Sequence, residues 1–162
     1  MSVTRPRGGG IIAFTFFMAL LLTILPLPEW AGPYRPAWVV LVLIYWCMAL
    51  PTRIGVGVGW LMGLLLDLIN GVLLGQHALA LAVVAYLATL LHQRIRVFPV
   101  WQQALTVLVL VGLSQMLVLW VLGVTGAVPR SWDYWLPSLT SMLLWPWVFV
   151  ILRDVRRRFG VQ

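Results

Sequence analysis

Lysine is missing from this sequence: the eleven basic residues are all arginine, set against only four acids, Glu29, Asp67, Asp133 and Asp154. One cysteine, Cys47, excludes an internal disulfide, and among Ile44, Tyr45, Trp46 and Met48 it reads as buried packing. The two histidines, His77 and His92, fall at opposite ends of the apolar segments, so a metal lacks a ligand set. Catalysis is equally short of material. The carboxylates are too few and scattered for an aspartyl pair, and no serine or cysteine stands near His77 to act as a nucleophile. The GVGVGW run at 55–60 lacks the lysine and hydroxyl residue of a phosphate-binding loop and lies inside an apolar segment. No catalytic, cofactor-binding or metal-binding residue is expected.

What the sequence has in quantity is apolar residues. Of its 162 residues 62% are hydrophobic and 9% charged, with a mean hydropathy of +1.00, which marks an integral membrane protein. The net charge of +7 therefore reads as topology, and nucleic acid is not a partner, because no basic stripe interleaved with aromatics accompanies it. Six apolar segments stand out, at 11–27, 37–50, 54–74, 78–91, 100–124 and 135–152, and together they leave no room for a second domain. A bilayer core of about 30 Å asks for about 20 helical residues. The second and fourth segments are short and need shielding by their neighbours.

Nine of the eleven arginines lie in the segments that become cytoplasmic if the N-terminus is inside, against Arg35 and Arg130 outside. That bias puts both termini in the cytoplasm with an even number of spans, the first read as uncleaved. Trp30, Trp38, Trp132 and Trp135 at outer ends, and Trp101 at an inner one, fit headgroup-level rings. The stretch HQRIRVFPVWQQ, with Arg94, Arg96, Phe98, Pro99 and Trp101, reads as an interfacial connector held by anionic lipid, with docking of a cytoplasmic partner as the alternative. The basic C-terminal RDVRRRFGVQ is a topology anchor.

Every fourth residue from Gly55 reads Gly55, Gly59, Gly63, Asp67, Gly71, Gly75, which on one helix is a single winding stripe. Glycine costs about 1 kcal/mol against alanine within a helix. Such a stripe needs a reason, and close helix approach supplies one, so the third helix is expected to be central. Asp67, about 20 Å along that helix, joins Asn70, Gln76 and His77 in a polar set near the outer side. A carboxylate at membrane depth is expensive and faces protein. Asp67 is either a hydrogen-bonded structural group or a contact to a partner's helix that senses binding. Ser114, Gln115, Ser138, Thr140 and Ser141 read as interhelical glue, and Pro146 predicts a kink.

The pattern G-L-x-x-D-x-x-x-G-x-x-L-G-x-x-A-L, carried by Gly63, Leu64, Asp67, Gly71, Leu74, Gly75, Ala78 and Leu79, together with RIRVFPVWQQ, resembles the rod shape-determining MreD family over roughly 10–155. The resemblance implies an all-α six-helix transmembrane bundle similar to the substrate-binding subunits of energy-coupling-factor vitamin transporters. It also implies a non-enzymatic scaffold of the bacterial inner membrane that supports side-wall peptidoglycan synthesis and rod shape. As partners it implies MreC directly, through its membrane helix and periplasmic region, and RodA, a class B penicillin-binding transpeptidase and MreB indirectly, in a hetero-oligomer. The competing expectation is a vitamin-binding subunit of a transporter, with Asp67, Asn70, Gln76, His77 and Trp30 around an outward pocket.

Overall fold

The computed structural model describes residues 9–26, 28–29, 35–51, 54–71, 75–126 and 135–159. Arg5, Arg7, Arg53, Arg130, Trp30 and Trp132, on which the expected orientation partly rests, lie outside the described residues, as does Asp133. Among the described residues there are seven helices and no strand: α1 (Gly9–Ile24), α2 (Trp38–Ala49), α3 (Val56–Asn70), α4 (Gln76–Leu90), α5 (His92–Val97), α6 (Val100–Thr125) and α7 (Leu136–Arg158). Among those residues α6 and α7 are long and apolar enough to cross a membrane, and four further apolar helices are shorter.

The centre is α2, not α3. Its twelve residues read WVVLVLIYWCMA, and every side chain from Val39 to Ala49 is buried. Val and Ile favour strands in water, but a helix satisfies its backbone within the segment, which decides the matter in apolar surroundings. α2 touches α1, α4, α5, α6 and α7, whereas α3 packs chiefly against α4. Trp60, Leu61, Leu65 and Leu68 on α3 face outward. The glycine face of α3 selects a close neighbour on one side, and closeness to one helix is not centrality. At about 18 Å, α2 is too short to span lipid alone, and its neighbours shield it.

Side-chain hydrogen bonds tie this centre to its surroundings. Trp46 Nε1 donates to Thr15 Oγ1 of α1 at 2.9 Å, and the Ala37 amide donates to Ser141 Oγ of α7 at 2.9 Å. The other expected glue residues behave differently: Ser114, Ser138 and Thr140 donate back to Val111, Trp135 and Leu136 of their own helix or its first turn. α7 continues through Pro146, which cannot donate to the carbonyl of Met142 one turn back.

Arginines close two helix ends. α1 stops before Pro26, and Arg35 donates to the carbonyls of Thr23 and Leu25. α2 stops before Pro51, and Arg96 of α5 donates to Met48 O at 2.9 Å and Ala49 O at 2.7 Å. The last carbonyls of a helix have no internal partner and carry its negative pole, so a guanidinium suits them twice over.

Candidate functional site

The α3–α4 turn is built by two glycines in the left-handed region. Gly71, at φ 66°, ends α3 with its amide on the carbonyls of Asp67 and Leu68, and Gly75, at φ 103°, opens α4. Side chains rarely adopt either conformation. The expected helix over 54–74 therefore ends at Asn70, and the supposed single stripe breaks there. Gly71 and Gly75 are turn residues, and Gly55 precedes the first helical residue of α3.

Gly59 and Gly63 do serve close approach. A Cβ on Gly63 would lie 2.4 Å from Ala78 Cα and 2.5 Å from Ala78 N, and one on Gly59 would lie 2.7 Å from Leu81 O. One on Gly57 would meet nothing within 4 Å. The first turn of α4 thus rests on the bare backbone of α3.

That contact brings the start of α4 onto Asp67, which is 0% exposed in the last turn of α3. Its Oδ2 accepts from the Gly75 amide at 2.9 Å and, more weakly, the Ala78 amide at 3.4 Å. Its Oδ1 accepts from the His77 amide at 2.9 Å and lies 2.8 Å from His77 Nδ1. A carboxyl group has about four acceptor positions, and these four contacts fill them. Asp67 is an N-cap supplied from another helix: it satisfies three orphan amides and sits at the positive pole of α4.

Of the expected polar set, the structure joins Asp67 to His77. Gln76 is buried at the first position of α4, and Asn70 is exposed. His77 and Asn70 line a cavity of about 190 Å³ with Thr23, Trp38, Ser114 and Gln115. Trp30, assigned to such a pocket, lies outside the described residues. Among the described residues no three His, Cys, Asp or Glu side chains gather as a metal would need.

The candidates of the connector before α6 divide. Arg96 closes α2, Pro99 precedes α6 as its N-cap, and Arg94, Phe98 and Trp101 are exposed. Sequence reasoning missed Gln103. It is buried on α6, donates to Ile95 O at 3.0 Å, and accepts from Trp145 Nε1 of α7 at 3.2 Å. Its signal was a glutamine just inside an apolar run, four residues past a proline.

A family model described as rod shape-determining protein MreD matches residues 8–155. The rod shape-determining protein MreD of Haemophilus influenzae is similar, at 36% identity over 148 residues, covering 91% of this chain and 91% of that protein. No solved structure matches.

Proposed function

Because the chain belongs to the rod shape-determining MreD family, we propose that it is a non-enzymatic scaffold of the bacterial inner membrane that binds MreC and supports side-wall peptidoglycan synthesis. Family membership makes it a membrane protein of rod shape determination. The finer reading has it crossing the membrane six times with both termini cytoplasmic. It reaches RodA, the class B penicillin-binding transpeptidase and MreB through MreC, in a hetero-oligomer.

One observation carries the scaffold reading. Asp67, the carboxylate buried among the apolar segments, has all its acceptor positions filled by the start of α4 and by His77. Its work is to lock two helices, and the surface so fixed is the outward face of α3, with Trp60, Leu61, Leu65 and Leu68. That face, packed on α4 and open on the other side, is the one best placed for a partner's membrane helix. The cavity beside His77, at about 190 Å³, falls below the roughly 300–1,000 Å³ of sites that bury a vitamin-sized ligand, so the transporter reading gains no support from it.

The test is to tag the chain in its native membranes, solubilise it gently and identify co-purifying proteins by mass spectrometry. Recovery of an MreC-like protein with wall synthases supports the proposal. Recovery of a transporter ATPase module in their place overturns it.

A further inference from the structure

A second cavity, separate from the Asp67 region, is a groove of about 540 Å³ between α1 and α7 with α2 at its back. Its rim is formed by Phe14, Met18 and Leu22 of α1, by Ile151 and Val155 of α7, and by Phe159 just after α7. The one hydroxyl in it, Thr15, is already engaged, donating to Ile12 O and accepting from Trp46. A ligand inside the groove meets hydrocarbon alone.

The charge lies at one end. The groove runs down α7 to Phe159, beside the RDVRRR segment. At about 100° per residue, the groove-lining positions of α7 cover about 100° of arc. Arg158 falls about 20° beyond the Ile151 edge, and Arg156 about 40° beyond the opposite edge. Arg156 lies beside Tyr45 of α2, on the floor side, and Arg158 is exposed on the open side. Arg157 lies on the far face, and Arg153 is engaged over the Phe149 ring at 5.7 Å. Among the described residues none of these arginines has a carboxylate within ion-pair distance.

We infer that the α1–α2–α7 groove is a binding site for an anionic glycerophospholipid. One acyl chain lies along Met18, Ile151 and Val155, and the phosphate is held at the mouth by Arg158. Charge complementarity selects the occupant: an apolar trough ending beside the exposed Arg158, which has no carboxylate at ion-pair distance among the described residues, matches a molecule that is hydrocarbon at one end and anionic at the other. A protein helix fits less well. It would bring side chains to the trough but no phosphate to the guanidinium at its end.

The test uses the full-length chain in nanodiscs of equimolar phosphatidylglycerol and phosphatidylcholine, released into detergent for native mass spectrometry, with retained lipid counted per chain. The expected result is one phosphatidylglycerol retained in preference to phosphatidylcholine. Arg158→Gln lowers that retention about fivefold, the ratio equivalent to about 1 kcal/mol for one basic contact. Arg157→Gln, on the far face, leaves it unchanged, and Ile151→Trp, which fills the exposed rim without touching the core, abolishes it. Equal retention of the two lipids overturns the site. An equal loss in Arg157→Gln and Arg158→Gln does so too, because it marks diffuse surface charge, as does full retention by Ile151→Trp. A photoreactive residue at position 18 in native membranes should label phospholipid; labelling of a protein there instead seats a partner helix in the groove and overturns the proposal.

Discussion

Asp67 is the residue whose replacement separates capping from charge. Asparagine keeps one acceptor oxygen and turns an amide nitrogen toward backbone donors, whereas leucine leaves the Gly75, His77 and Ala78 amides without a partner. A hydrogen bond to a charged group contributes about 1.5–3 kcal/mol, and a buried orphan donor costs about 1–3 kcal/mol. Asp67→Asn is therefore expected to lose about 2 kcal/mol of stability and Asp67→Leu about twice that, measured as thermal unfolding in detergent. Equal stability of the two variants would remove the cap from the argument, and full rod-shape function in both would remove any special role for the carboxylate. The juxtaposition of Asp67 with His77 was legible in the sequence, because a turn between them was implied by glycines. The amides of Gly75 and Ala78 as partners were not, since backbone groups carry no residue signature.

At the scale of the element, the glycines of α3 divide by what stands opposite each one. Gly63→Ala would place a Cβ 2.4 Å from Ala78 Cα, a backbone atom that cannot swing aside, so α3 and α4 must separate. The expected loss is at least about 2 kcal/mol, in the range of overpacked cores. Gly57→Ala faces open space and should leave stability unchanged or raise it by up to about 1 kcal/mol. Thermal unfolding of the two variants side by side checks this, and similar losses in both would mean helix propensity rather than close approach governs the face. A spacing of four could not separate these cases, because it is satisfied equally by packing glycines and by turn glycines. The cue that was available is local: Asn70-Gly71 is a helix ending, and it should have closed α3 before Leu74. Helix ends yield a second comparison, at the connector between α4 and α6. Arg96→Gln removes both bonds to the α2 carbonyls and is expected to cost about 1–2 kcal/mol. Arg94→Gln, at an exposed position two residues away, should cost nothing measurable in the same unfolding experiment.

Over the whole molecule, three charged side chains perform one task in a chain that has few charges. Arg96 closes α2 from α5 and Asp67 opens α4 from α3, each from another helix, and Arg35 closes α1 from the segment that precedes α2. Helices shorter than a bilayer place their unsatisfied ends among apolar neighbours, where an orphan amide or carbonyl costs most. Capping from another helix removes that cost and fixes the neighbour at the same time. What the sequence left illegible at this scale was which helix is central. α2 is apolar on every side, and a pattern without a polar face does not tell a core-facing side from a lipid-facing one.

The assembly also has a weak seam, because α3 is attached chiefly through α4 while α2 is held by five neighbours. Opening should follow that seam. In hydrogen exchange of the full chain in detergent, amides of Val40–Ala49 are expected to be the most protected, and Asp67→Leu should speed exchange in α3 and the first turn of α4 while leaving α2 slow. Local opening costs less than global unfolding wherever a unit is joined through one contact face. If protection in α2 falls together with that in α3, the hairpin is integral to the core, and the outward face of α3 is then fixed by the whole bundle rather than by the Asp67 lock.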